Sequence, residues 1–421
     1  AMKSGITNIT IWSDSKALLM SLTAAVSLTL PGSPAHAIPS FSRQTGMQCA
    51  ACHTVFPELN AFGRQFKLRG YTLSGQLDEK MFPVNLPLSA SLIGSYTDVR
   101  ETRASGPAED FTQTDEFILQ TAAVYYAGRI IGKSGAFAQY NYDGIERAWA
   151  VEMVDARYAD STMVKDKELL YGLTLNNGPS TQDVWNSAPM WSFPHLPDAG
   201  VMPAVGPLID MRLAQQAGGL GGYGFWNNAL YAELSFYRTT ERGALRILGA
   251  GTHTETVIDG YAPYWYVMLT REMGVHNLAA GIHGLTADIL LDADDADSPT
   301  DRYRDLSLDA QYQYLGETHI FTTDATWIRE KRIWNASFPS GMADNPSDLL
   351  HTFKINAHYW YRQRMGGGIG YFSTTGDSDM MKYGMRDESS AMGNATGIPD
   401  SRGWTAEVNY LPLKDQSLKI G

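Results

Sequence analysis

The sequence predicts a mainly β protein, a small α-helical N-terminal domain followed by a membrane-spanning antiparallel β-barrel of about 16 strands. Three observations predict it. From Leu86 onward, apolar and polar residues alternate with period two in segments of about ten, the length a tilted strand needs to cross a bilayer. No apolar run in that region is long enough for a spanning helix. Tight turns and long loops also alternate along the chain, which is the rim asymmetry of an outer-membrane barrel.

Residues 1–37 read as an export signal. Lys16 precedes an apolar run from Ala17 to Leu30, followed by the helix-breaking Pro31 and the small-residue site Ala35-His36-Ala37, so the mature chain is expected to start at Ile38. The run is short for a membrane anchor.

The chain has two cysteines, both in Cys49-Ala50-Ala51-Cys52-His53, so there is no disulfide framework. In a c-type haem site two thiols with this spacing add across the vinyl groups, and the following histidine gives an axial nitrogen to the iron. A redox dithiol, a zinc site and a chance spacing are the competing readings. Zinc would need a second closely spaced ligand pair, and the sequence has none. The motif therefore points to one covalent haem c and one-electron chemistry, with Cys49 and Cys52 holding the ring and His53 on the iron. Export agrees, because bacteria attach haem to cysteines outside the cytoplasm. The spacing does not give the second axial ligand. Met81, Met190, Met202 and His195 are candidates because they fall outside predicted strands; methionine would raise the potential and histidine lower it. Nothing else resembles a catalytic constellation.

After the motif, Val55, Leu59, Phe62 and Phe66 recur at helical spacing and form one apolar stripe, expected to face the haem. Arg64, Lys67 and Arg69 would either pair with haem propionates or form a solvated basic face. The segment 38–84, read as a mono-haem cytochrome domain, is too small to bury a haem alone and is expected to lean on the β region C-terminal to it.

Residues 85–421 are assigned to the barrel. Leu306, Leu308, Ala310, Tyr312 and Tyr314 alternate with Ser307, Asp309, Gln311 and Gln313; Phe353 to Tyr361 and Ala138 to Tyr142 alternate likewise. Strands are expected near 86–98, 115–129, 135–144, 148–159, 167–177, 214–226, 229–239, 262–273, 275–288, 304–315, 317–330, 349–364, 366–375, 402–411 and 416–421. Tight turns fall at 131–134, 160–166, 227–228, about 274, about 316, about 365 and 412–415. Long loops fall at 99–114, 178–213, 240–261, 289–303, 331–348 and 376–401, and only 145–147 breaks the alternation. A periplasmic N-terminus puts the tight turns on the inside. The last segment starts a fifteenth strand, so an even count places one more loop and a closing strand beyond Gly421.

His283 and His358 are expected to face the lumen as ordinary residues. The carboxylate-rich loop Asp292 to Asp301 could attract Fe(II) or calcium, but the glycine and glutamate positions of a calcium loop do not fit and a solvated surface loop is expected. A net charge of −12 argues against nucleic acid, which needs basic patches, and suits cationic partners or metal ions.

With both halves placed, the chain resembles the fused outer-membrane cytochrome-porin family of iron-oxidising bacteria. The resemblance rests on Phe41-Ser42-Arg43-Gln44-Thr45-Gly46-Met47, on Cys49 to His53, and on Phe62-Gly63-Arg64 through Gly70-Tyr71, followed by the barrel-like remainder. Its order of parts spans the mature chain, and its specific residues span about 41–71. It implies a mono-haem cytochrome domain plugging or capping a porin, carrying electrons from extracellular Fe(II) to a periplasmic c-type cytochrome or other carrier. Members also occur where iron is not the evident donor. The residues alone leave two alternatives: a haem-plugged transport porin, and a soluble periplasmic cytochrome with a β-rich partner domain.

Overall fold

The computed structural model describes residues 39–54, 58–73, 87–96, 117–144, 147–185, 205–239, 256–384, 396–413 and 418–421. The strands are β1 Leu88–Tyr96, β2 Phe117–Ile131, β3 Ser134–Asp143, β4 Ala148–Val164, β5 Lys167–Asn176, β6 Gly218–Trp226 and β7 Leu230–Arg238. They continue as β8 Ala262–Met273, β9 His276–Leu290, β10 Thr300–Leu315, β11 His319–Ile333, β12 Ser347–Tyr361, β13 Met365–Gly376 and β14 Ser401–Tyr410. Together they form one 14-stranded sheet in which each strand pairs with the next in sequence. Every pairing is antiparallel.

All fourteen strands lie on segments that the alternation marks. The expected fifteenth segment contributes one antiparallel bridge, Tyr410 with Ile420. Among the described residues β1 and β14 are not paired to each other. Some strand ends run further than expected. The turn predicted at 160–166 shrinks to Lys165 and Asp166, because both take positive φ (50° and 60°) and a two-residue reversal of that hand matches the twist of the flanking strands. Asn227 with Asn228, and Arg362 with Gln363, also take positive φ, each in a three-residue turn, as Trp226 pairs with Leu230 and Tyr361 with Met365. Between β9 and β10 the expected loop 289–303 shortens to 291–299, as pairing reaches Thr300 opposite Leu290.

The two faces of the sheet are inverted relative to a protein in water. On β10, Asp305, Ser307, Asp309, Gln311 and Gln313 are buried while Leu306 and Leu308 are exposed. On β7, Tyr231, Glu233, Ser235 and Tyr237 are buried while Leu230, Leu234 and Phe236 are exposed. Exposed aromatics fall in two bands. Trp226, Phe321, Tyr359, Tyr361 and Tyr410 lie near the tight-turn ends, and Tyr96, Phe236, Trp265, Phe353 and Trp404 lie toward the long-loop ends. From Tyr359 to Phe353 is about 20 Å of strand at ~3.4 Å per residue, and the outward positions between are Ala357 and Ile355.

The concave face wraps two inserts. The first is the N-terminal segment, with α1 Pro39–Thr45 and α2 Ala61–Leu68. Phe41 stacks on Tyr71 at 5.5 Å between centroids, and Phe66 meets Phe41 edge-on at 5.1 Å. The predicted apolar stripe is therefore split: Phe66 joins this small core, Phe62 is 41% exposed, and Val55 lies outside the described residues. The segment bonds to widely separated strands. Arg43 donates to the Leu88 carbonyl on β1, Gln44 Nε2 to that of Ala127 on β2 (2.9 Å), and Arg69 to Glu168 on β5 (2.8 Å). Tyr223 on β6 donates to the Leu68 carbonyl (2.6 Å), and Gln313 on β10 to that of Leu59 (3.1 Å). Only a strongly curled sheet brings these strands to one short segment. Ala127, Glu168, Tyr223 and Gln313 all lie toward the tight-turn ends of their strands, so this insert plugs the tight-turn mouth.

The second insert corrects an expectation. The β5–β6 connection, read as an outside loop over 178–213, turns inward where it is described: Trp185, Ile209 and Leu213 are almost fully buried. Leu208 N–H donates to Glu330 (2.6 Å), Ile209 N–H to Asp305 (2.7 Å), and Arg332 to the Gly206 carbonyl (2.8 Å). Buried wall carboxylates thus satisfy loop amides that water would otherwise have to satisfy.

Candidate functional site

The Cys49–His53 motif lies in the plug. Cys49–Ala51 is a 3-10 turn, in which Cys52 N–H (3.0 Å) and His53 N–H (2.9 Å) both donate to the Cys49 carbonyl. One hydrogen-bonded turn therefore presents both sulfurs and the imidazole. The two cysteines are half-buried and carry thiols rather than a disulfide. Burial, and to a smaller degree the neighbouring Cys49, push the Cys52 thiol up to about 11, so in the bare chain it is protonated at neutral pH and a slow nucleophile.

Two local features hold the turn. Asn60 caps α2, its side-chain oxygen accepting from Gly63 N–H (3.0 Å); its Nδ2 donates to the Ala51 carbonyl (3.0 Å) and its backbone N–H to the Cys52 carbonyl (2.9 Å). Helix α2 lies so close that a Cβ on Gly63 would collide with the Cys52 carbonyl oxygen. On the other side Thr54 bonds Glu58 twice, backbone N–H to carbonyl (3.1 Å) and hydroxyl to carboxylate (2.9 Å), and His53 bridges to Leu59. Glu58 in turn accepts from Thr322 on β11 (3.0 Å) and Gln313 on β10 (3.2 Å). The motif is thus tied to its own helix and to the wall.

The basic residues of α2 form neither a solvated face nor an open propionate cradle. Arg64 is buried and donates to Gln311 and to the Leu59 carbonyl (3.1 Å); burial pulls its guanidinium down to about 10, with Glu58 and Asp324 opposing. Lys67 donates to the carbonyls of Thr181 (3.0 Å) and Asp183 (3.4 Å) and lies 3.6 Å from Asp155. Burial outweighs that carboxylate and takes the Lys67 ammonium down to about 8. Asp155 also accepts from Tyr71 (2.6 Å), Arg157 (2.8 Å) and Thr174 (3.0 Å). These cations satisfy wall and loop acceptors because the plug is inside the sheet rather than beside it.

Met81, Met190, His195 and Met202 lie outside the described residues. Among the described residues no group of three or more His, Cys, Asp or Glu side chains could hold a metal ion. His283 and His358 do face inward, His283 against Asp309 (3.2 Å) and His358 against Glu407 (3.4 Å). In the acidic loop, Asp292 and Asp295 accept from the amides of Asp294 and Asp297, and Asp301 latches the amides of Ala336 and Ser337. These carboxylates shape turns.

Glu58, Asn60, Asp155 and Trp185 do not stand out in the sequence. Asn60 has a readable signal, a capping residue just before an apolar-periodic run. Glu58 reaches the wall and Asp155 the plug through partners far away in sequence, for which no local signal exists, and Trp185 is marked only as an apolar residue in a long connection.

Two thiols and an imidazole on one turn are the donor set that thioether attachment of a haem requires, so the residues fit the group. No family model and no curated protein matches the chain. Among solved structures it is similar to OmpT (in-vitro folded), an outer membrane protein of Vibrio cholerae, at 8% identity and a TM-score of 0.33, covering 77% of this chain and 95% of that one. A bacterial polysaccharide outer membrane secretin is similar at 11% identity and a TM-score of 0.24, covering 77% and 98% of the two chains.

Proposed function

We propose that this chain is an outer-membrane barrel that carries one covalent haem c at its tight-turn mouth and moves single electrons. The extracellular donor is Fe(II) and the acceptor a periplasmic c-type cytochrome or similar carrier. The observation that carries this reading is the position of the Cys49–His53 turn, on a plug bonded to the tight-turn half of a wall whose outer face is apolar and banded by aromatics.

Lipid accounts for the inverted faces, with leucines outward and carboxylates inward. Lipid also tolerates no open strand edge, so the reading includes a closed wall of about 16 strands. Short turns are the usual mark of a periplasmic rim, which supports a periplasmic plug and motif in reach of a soluble carrier. Cys49 and Cys52 would hold the ring and His53 its iron; the group would supply reversible one-electron chemistry. Asn60, Glu58 and Gly63 fix the turn, and Arg64, Lys67 and Arg69 fix the plug. The described parts of the β5–β6 loop, with Trp185, Ile209 and Leu213 buried on the concave face, favour a filled lumen over an open solute pore. The identity of the donor comes from the family resemblance.

The test is a redox titration of detergent-solubilised protein from a haem-maturing host, followed by its visible spectrum and by mass. One haem per chain, reduced by Fe(II) and reoxidised by a soluble cytochrome, is expected. Unmodified thiols in exported material would remove the electron-transfer reading.

A further inference from the structure

We infer that Asn60 is a positioning residue for the motif: it clamps the Cys49–His53 turn in the conformation that receives the haem, independently of its role in starting α2. This rests on the haem reading above.

Asn60 is over-specified for a cap. Serine, threonine and aspartate all satisfy an N-terminal amide as well as asparagine does. Of these, only asparagine also carries an amide donor, and here that donor is used: Nδ2 reaches the Ala51 carbonyl, between the two cysteines, while Oδ1 accepts from Gly63 N–H. The backbone N–H of the same residue holds the Cys52 carbonyl. One residue thus binds two successive carbonyls of the thiol-bearing turn and the first turn of the helix above it. Gly63 permits the closeness this needs, since any side chain there would strike Cys52. Glu58 closes the far side through Thr54, and Thr322 and Gln313 hold Glu58 to the wall. The backbone that carries the two cysteines is therefore held by the chain before any cofactor arrives, which lowers the ordering cost of attachment.

Asn60→Asp and Asn60→Ser keep the cap and remove the amide donor; Asn60→Ala removes both. In haem-free full-length protein in detergent, amide hydrogen exchange is read at Cys52 and His53 and along α2. The first two variants should exchange about fivefold faster at Cys52 and His53, the loss of one ordinary hydrogen bond, with α2 unchanged; Asn60→Ala should speed both. In a haem-maturing host the same two variants should show a raised ratio of singly to doubly linked haem. If Asn60→Asp and Asn60→Ser match the wild type in both readouts, or if their α2 loosens as much as the turn, the clamp is refuted. If the wild type takes up no haem while the exchange pattern holds, the electron-transfer reading falls and the clamp stands.

Discussion

The two inserts share one concave face but are held by opposite means. The plug brings its own charges: Arg64, Lys67 and Arg69 reach out to Gln311, to the Thr181 and Asp183 carbonyls with Asp155, and to Glu168. The β5–β6 loop instead offers bare backbone, and the wall supplies the charge, Glu330 to Leu208 N–H and Asp305 to Ile209 N–H. The first mode puts charged residues into the insert's own sequence, and the second leaves there only a few apolar ones. If the contrast is right, the plug should be released by changing one acid on β4 and the loop by changing one acid on β11, each without the other.

The largest effect is expected at Asp155. It accepts from Tyr71 of the plug and from Arg157, and pairs with Lys67. Asp155→Ala strands two buried cations, which costs about 3–5 kcal/mol. Limited proteolysis should then cut within 39–73, while Arg212, in the half of the inward loop that Glu330 and Asp305 hold, stays protected. Protection of both inserts, or loss of both, would break the contrast.

Glu330→Ala comes next. It leaves the Leu208 amide and the Arg332 guanidinium without their carboxylate, at a cost of about 3 kcal/mol. Cleavage at Arg212 should appear, and ion conductance through the reconstituted barrel should rise, with the plug still docked.

The same contrast explains what can be read from the sequence. The wall is one strand thick, so each residue faces one of two media and the period-2 pattern reports its burial whatever its distant neighbours are; all fourteen strands are legible for that reason. The Cys49–His53 motif is legible because covalent chemistry demands a local spacing. The inserts are not. Arg64 finds Gln311 at a separation of 247 residues and Leu208 finds Glu330 at 122, and no window along the chain contains both partners. Within the β5–β6 connection, Trp185, Leu208, Ile209 and Leu213 are apolar residues in a loop expected to be wet, which is the one local sign that it turns inward.

A smaller change tests the seat of the motif itself. Gly63→Ala forces α2 away from the Cys52 carbonyl, at a cost of about 1–3 kcal/mol. Haem incorporation should fall while Arg69 and Tyr71 keep the far end of the plug in place. Full incorporation with unchanged melting would mean that the helix can shift freely over the turn.

The smallest effect separates charge from contact at Lys67. Its docked pKa, about 8, is below its ordinary 10.5, so the undocked plug binds more protons between those values. Docking must therefore strengthen as pH rises through that window, by at most about 1.4 kcal/mol per pH unit. Below pH 8 the burial penalty is constant. Lys67→Met removes the titration along with the bonds to Thr181 and Asp183, and comparison with it cancels other groups that change charge at alkaline pH. The wild type, measured by protease protection of the plug, should gain on Lys67→Met as pH goes from about 8 to about 10. A wild type that shows no gain over that range and loses ground only above the ordinary 10.5 would show that the ion pair with Asp155 outweighs burial. The plug would then be held by the attraction of its charges rather than in spite of their desolvation.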